Sequence, residues 1–150
     1  MKHHKEDDAG LVITSEPDAS PVAAGEVRRG LYAFDAHATG LPEPHRLQLF
    51  ARDRGGEIRG GLLGSLWGDW LHLTHLWIDE PCRGRGFGRQ LVEAAEREAA
   101  DAGAQGCFLS TFDFQAPGFF RRLGYEVYGE LVDYPPGHTT YHFRKWLPRR

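Results

Sequence analysis

Between residues 70 and 103 the hydrophobic period of the chain switches from extended to helical across a glycine-rich corner. Residues 70–79, rich in Leu, Trp, Thr and Ile, read as a long strand. The strand runs out through Leu76-Trp77-Ile78-Asp79-Glu80-Pro81-Cys82-Arg83-Gly84-Arg85-Gly86-Phe87-Gly88. Beyond it, Phe87, Leu91, Ala95 and Ala99 recur every fourth residue while Arg89, Glu93, Glu96, Arg97 and Asp101 lie elsewhere around the helix, and Gly103 suits the left-handed residue just past its end. One face of this helix is core, so the corner joins a sheet to a helix packed on it.

The flanking segments extend that architecture. Residues 11–14 read as a first short strand, and Pro17, Asp18, Ser20 and Pro21 as a turn into a helix over 21–37. From Arg46 the residues Leu47, Leu49 and Ala51 alternate with Arg46, Gln48, Phe50 and Arg52, Asp53-Arg54-Gly55-Gly56 supplies turn residues, and 57–67 forms the return strand before a second turn at Gly68-Asp69. Residues 107–111 read as a buried strand, 116–123 as a short helix with Pro117 in its first turn, and 125–131 and 141–146 as final strands. The order strand, helix, three antiparallel strands, helix, strand, helix, two strands predicts an α/β (α+β) fold, a mixed and mostly antiparallel sheet flanked by helices. Residues 1–10 read as a flexible polar tail, in which His3 and His4 are solvated rather than metal-binding, and 11–150 as a single domain.

Bulk properties exclude several classes. A chain of 150 residues buries roughly two-thirds of its unfolded surface, and 41% apolar with 26% charged residues is ordinary for a globular protein. A net charge of −3 offers no basic field for nucleic acid or anionic membrane. No apolar run approaches the roughly 20 residues that span a bilayer, and the start lacks the apolar segment of a signal peptide, so a cytoplasmic location is expected. Cys82 and Cys107 read as free thiols.

The corner itself points to an anion. Glycines let backbone N–H groups approach a ligand, and the first helical turn leaves donors whose dipole favours negative charge. Arg83, Arg85 and Arg89 add guanidinium groups that reach phosphate in bidentate geometry. No Lys-Ser or Lys-Thr follows the glycines, and their spacing is not Gly-x-Gly-x-x-Gly, which excludes the P-loop and the dinucleotide fingerprint.

Arg83-x-x-Gly86-x-Gly88, entered from Leu76-x-Ile78 and followed by an amphipathic helix, resembles the acetyl-CoA signature of the GNAT superfamily of N-acetyltransferases. Phe119-Phe120-Arg121-Arg122-Leu123-Gly124-Tyr125-Glu126 resembles the family's late helix and strand, at a suitable distance from the first motif. The resemblance implies acetyl-CoA as co-substrate. Backbone amides of Arg83, Gly84, Arg85, Gly86, Phe87 and Gly88 would hold its pyrophosphate, with the pantetheine arm along Leu76, Trp77 and Ile78. It implies a V-shaped split between two parallel central strands, here residues 76–78 and 107–110, where the acyl group enters. Asp113 stands where the family often has an asparagine that contacts the cofactor, and Phe120 where it commonly has a tyrosine that protonates the departing thiolate. Solvent, Tyr125 or Tyr128 would then substitute.

Acyl transfer needs a neutral amine, whereas a primary alkylamine with a pKa of about 10.4 is mostly protonated at neutral pH. Candidates to take the proton are His72, Thr74 and His75 on the strand lining the split, since the ordinary imidazole pKa of about 6.5 suits the task. Three apart on a regular strand, the two histidines face opposite sides of the sheet. His72 is preferred, because related acetyltransferases carry a glutamate base at that position. Asp79 and Glu80 are candidates through water, and Tyr32, Asp35 and His37 border the acceptor pocket by analogy with resembling proteins. The segment Asp133-Tyr134-Pro135-Pro136-Gly137-His138 reads as a connecting turn.

The expected function is direct transfer to a primary amine of a small molecule or protein in a ternary complex, with no cysteine placed as an acyl carrier. A non-catalytic acyl-CoA-binding module and a nucleotide-phosphate protein with an unfamiliar loop are the competing readings. A homodimer is the base-rate expectation.

Overall fold

Gly68 and Asp69 both take positive φ, 56° and 63°, the conformation of a two-residue hairpin turn whose twist matches that of its flanking strands. It joins β2 (Ile58–Trp67) to β3 (Trp70–Ile78), with Trp67 opposite Trp70 as the closing pair. The preceding hairpin, from β1 (His45–Arg52) into β2, is pinned by Asp53, whose Oδ1 accepts from the N–H groups of Gly55 and Glu57 at 2.9 and 3.0 Å. Three consecutive antiparallel strands therefore form where the sequence reading expects them.

A single turn of 3₁₀ helix at Glu80–Cys82 leads from β3 toward α2 (Phe87–Asp101), and Gly103 takes φ 90° just beyond the helix end. The remaining elements are β4 (Gly106–Phe112), α3 (Pro117–Arg122), β5 (Glu126–Val132) and β6 (Thr139–Trp146). The six strands lie in the order β1-β2-β3-β4-β6-β5, antiparallel except for the parallel pair β3 and β4. Leu91, Val92, Ala95 and Ala99 of α2 pack on Leu47, Leu62, Leu71 and Leu73, and the core continues through Cys107, Leu109 and Phe143. Each fully buried aliphatic or aromatic side chain of this kind contributes about 1.5–3 kcal/mol.

The structure, a computed structural model, describes residues 10–148, so His3, His4 and most of the expected tail lie outside the described residues. The chain divides into two compact units, one ending at Leu41 and one beginning at Pro42. The elements above all belong to the second. The first carries α1 (Pro21–Thr39), which starts behind an extended Ser20 with Pro21 in its first turn and stops at Gly40, whose N–H donates to the Ala36 carbonyl at 2.8 Å. Tyr32, Asp35 and His37 fall on this helix. The expected strand over residues 11–14 does not form. The run is four residues long, is cut off by the turn at Pro17, and leaves Ile13 83% exposed, so little burial offsets the cost of ordering it. Among the described residues, no helix is long and apolar enough to cross a membrane.

Candidate active site

The parallel ladder between β3 and β4 holds for three positions, Trp70 with Gly106, Leu71 with Cys107 and His72 with Phe108, and then stops. Beyond it a cleft of about 870 Å³ opens, lined by Leu73 to Ile78 on one side and by Leu109, Ser110 and Thr111 on the other. The V-shaped split is thus a feature of this sheet. One end of the cleft reaches the corner that starts α2, and its wall there includes Arg83, Gly84, Gly86, Phe87 and Gly88.

That corner is built from backbone. Gly84 and Gly86 have φ of 73° and 82°, left-handed values that cost a side-chain-bearing residue about 1–2 kcal/mol. Gly86 precedes the first residue of α2, and no side chain caps the helix, so its first N–H groups stay available to a ligand. Arg83 is folded back, its Nε donating to the carbonyl of Ile78 at 2.9 Å, which ties the loop to the end of β3. The same junction is held by Arg59, whose Nη1 lies 3.2 Å from Asp79 Oδ2 and whose carbonyl accepts from the Asp79 N–H at 2.7 Å. Asp79 is therefore committed to structure. Arg89 also lines the cleft, with its Nε on Glu93 at 2.7 Å, and Arg122 of α3 joins it there although no sequence signal singled it out. Arg85 lies outside the cleft wall.

Asp113 is also outside the wall. Its Oδ2 accepts from the Thr139 N–H at 2.9 Å and its Oδ1 lies 2.8 Å from His138 Nδ1, so it fastens the β5–β6 connection to the end of β4. The Thr139 N–H chiefly, and His138 after it, hold this carboxyl below the usual carboxylate range.

The two β3 histidines occupy one face of the sheet, not opposite faces. Leu63 pairs with His75 and Gly64 with Leu73, leaving Thr74 as an extra residue in a β-bulge. His72 lies opposite Ser65 and His75 opposite Leu63, and Ser65 and Leu63, two apart on β2, point the same way. A single inserted residue shifts the period and brings Leu71, Leu73, Leu76 and Ile78 together on the core face. The bulge is accommodated by Gly64, where a Cβ would sit 2.7 Å from the His72 carbonyl oxygen.

The two imidazoles nevertheless differ. His72 stacks on Phe108, ring centroids 4.4 Å apart and planes 5° from parallel, and lies outside the cleft wall. Burial pushes its pKa below the ordinary value and keeps it neutral at neutral pH. His75 lines the cleft, with Nδ1 3.0 Å from Thr74 Oγ1. The threonine hydroxyl gives its only proton to the Leu63 carbonyl at 3.1 Å, so it can only accept from His75. In the neutral ring the proton therefore resides on Nδ1, and Nε2 keeps a free lone pair.

On the opposite arm, Ser110 Oγ lies 2.7 Å from Nδ1 of His142 on β6, its partner in the β4–β6 register. Neither residue was singled out from the sequence, because β6 reaches β4 only after α3 and β5 have intervened. Thr111 donates to Gln115 Oε1 at 3.0 Å. Phe119 and Phe120 of α3 close the cleft with apolar rings. Tyr125, one stand-in for the absent phenol, donates to Glu96 at 2.9 Å in the core and lies outside the wall, as does Tyr128. Burial raises the Tyr125 pKa further. Cys107 is fully buried, its thiol pushed up to about 12 by desolvation, whereas Cys82 lines the cleft beside the corner.

Comparison with known proteins agrees with this geometry. The acetyltransferase (GNAT) family profile matches residues 15–125. Over 87 residues the chain is 45% identical to blasticidin-S acetyltransferase of Streptomyces morookaense, an alignment covering 57% of this chain and 64% of that one. The chain thus matches less than two thirds of that relative's length. The crystal structure of an acetyltransferase from Bacillus cereus superposes with a TM-score of 0.77 at 28% identity, covering 89% of this chain and 98% of that one. A Bacillus anthracis protein described as a streptothricin acetyltransferase, solved in complex with acetyl coenzyme A, shares the fold at a TM-score of 0.62 and 18% identity, over 70% of this chain and 64% of that one.

Proposed function

The chain belongs to the acetyltransferase (GNAT) family, and from that premise we propose that it transfers an acetyl group from acetyl-CoA to a primary amine by direct attack in a ternary complex. The observation that carries the reading is the continuity of one cleft from the uncapped, glycine-cornered start of α2 into the split between β3 and β4. Backbone donors and fixed arginines suit a diphosphate at one end, and diverging strands leave room for a thioester at the other. In this reading the amides of residues 83–88 hold the pyrophosphate with Arg83 and Arg89 beside them, and Leu76, Trp77 and Ile78 flank the pantetheine arm. The Arg85 side chain and Asp113 have no direct part in it. The blasticidin-S relative supports a small-molecule amine over a protein one.

His75 takes the role of base in preference to His72. It lines the cleft, and its tautomer presents Nε2 as the acceptor. Removal of a proton from the ammonium frees a lone pair that attacks the thioester carbonyl, forming the C–N bond and then breaking C–S. An acyl-cysteine route has no support, since Cys107 is sealed in the core and Cys82 sits at the phosphate end of the cleft.

Calorimetry with acetyl-CoA, followed by thiol release across a panel of small amines that includes blasticidin S, tests the reading. Binding coupled to amine-dependent release is expected. Tight binding with no release for any amine, small or peptide, would make the chain an acyl-CoA-binding module instead.

A further inference from the structure

We propose that Ser110, backed by His142, delivers the proton that the departing sulfur takes up, a role that rests on the acetyl-transfer reading above. The two arms of the split part at His72 and Phe108, and the next residues on the polar face are His75 on β3 and Ser110 on β4. These two flank the same level of the cleft, past the last paired rung, and both belong to its wall. If His75 removes a proton from the amine on one arm, a group on the other arm is suitably placed for the sulfur.

Elimination among the wall residues singles out Ser110. The wall holds three hydroxyls, those of Thr74, Ser110 and Thr111. The Thr74 proton goes to the Leu63 carbonyl and the Thr111 proton to Gln115 Oε1, acceptors that have no proton to return. Thr74 also meets a ring nitrogen, that of His75, but its own proton is committed to the carbonyl; of the three, only Ser110 has its proton facing a ring nitrogen, His142 Nδ1 at 2.7 Å, and an imidazole can both give and receive. Phe119 and Phe120, which close the same region from α3, carry no exchangeable proton.

As the C–S bond breaks, its electron pair remains on sulfur and the Ser110 hydroxyl gives its proton to it. His142 returns a proton from Nδ1 to the serine oxygen, and solvent protonates Nε2 of the same ring. Each of the two protein groups ends with the number of protons it began with, and the net change is one proton from solvent to the thiolate.

A thiol with a pKa of about 8.5 loses roughly 30-fold at pH 7 if it must leave unprotonated, which bounds the effect. The test compares acetyl-CoA with its selenoester analogue, which keeps every binding group but releases a far more acidic selenol. Ser110→Ala should slow transfer from acetyl-CoA by up to about 30-fold, with the Kd for CoA unchanged by calorimetry, and should slow transfer from the selenoester far less. His142→Asn should show the same dependence on leaving group to a smaller degree, and Ser110→Thr should restore most of the rate. Equal losses with both donors in Ser110→Ala, or no loss with either, would overturn the proposal. A wild-type protein that binds acetyl-CoA yet transfers to no amine would instead remove the acetyl-transfer reading on which it rests.

Discussion

The two ends of the cleft are made of different materials. At the α2 corner the groups proposed to bind are main-chain amides, set by Gly84 and Gly86 in left-handed conformations within a stretch of six residues. At the split they are side chains brought together from β3, β4 and β6, and the face that His75 takes depends on one bulged residue, Thr74. A backbone site tolerates changes of side chain so long as the conformation survives. A side-chain site does not, and the difference predicts where substitutions should strike binding and where they should strike turnover.

The largest effect belongs to the split. His75→Ala should lower kcat by about 100-fold or more while leaving the Kd for acetyl-CoA unchanged, as general-base catalysis typically contributes 10²–10⁴; steady-state kinetics beside calorimetry separates the two. A comparable loss in His72→Ala, with His75→Ala nearly intact, would move the base to the ring stacked on Phe108.

Gly86→Glu inverts the pattern. The left-handed strain of about 1–2 kcal/mol and a carboxylate at the helix N-terminus together should weaken acetyl-CoA binding by roughly 50- to 100-fold. Retained affinity would show that the diphosphate is held elsewhere.

Gly64→Ala probes the support of the bulge. The added Cβ meets a backbone oxygen at 2.7 Å, so the strands must shift, at a cost of about 1–3 kcal/mol in a denaturant titration. Turnover should fall more than acetyl-CoA affinity, because the shift is felt at Thr74 and His75 and not at the corner.

The smallest effect is expected at Asp113. Asp113→Asn should leave acetyl-CoA affinity within about twofold, as for a substitution away from the site. Its consequence is for stability. A carboxyl held below its unfolded pKa of about 3.9 stabilises the fold above that pH, and the contribution is lost as pH falls through the folded value. The stability gap between wild type and variant, followed by urea denaturation, should therefore close as pH drops below about 4.

The same contrast governs how far the sequence could be read. The corner is local: strand, glycines, arginines and amphipathic helix follow one another between residues 70 and 103, so the pattern carries both the fold and the expectation of phosphate binding. The hairpins at Asp53 and at Gly68-Asp69 are local in the same way. The strand over 11–14 misled because a short apolar run states a propensity and says nothing about what would bury it. The histidines misled for another reason. Alternation assigns faces by counting, and one bulged residue, supported by a glycine on the neighbouring strand, moves His75 to the face of His72. Ser110 and His142 stand 32 residues apart and meet because β6 inserts between β4 and β5, a pairing no local pattern announces.

The central claim is that backbone donors at the α2 corner aim a thioester into the split between β3 and β4. A crystal structure with the non-hydrolysable acetonyl analogue of acetyl-CoA tests it most directly. The account predicts pyrophosphate oxygens hydrogen-bonded to amides within residues 83–88, and the sulfur lying between His75 and Ser110. Electron density that puts the coenzyme outside this cleft, or its sulfur on the far side of Phe119 from both residues, would contradict it.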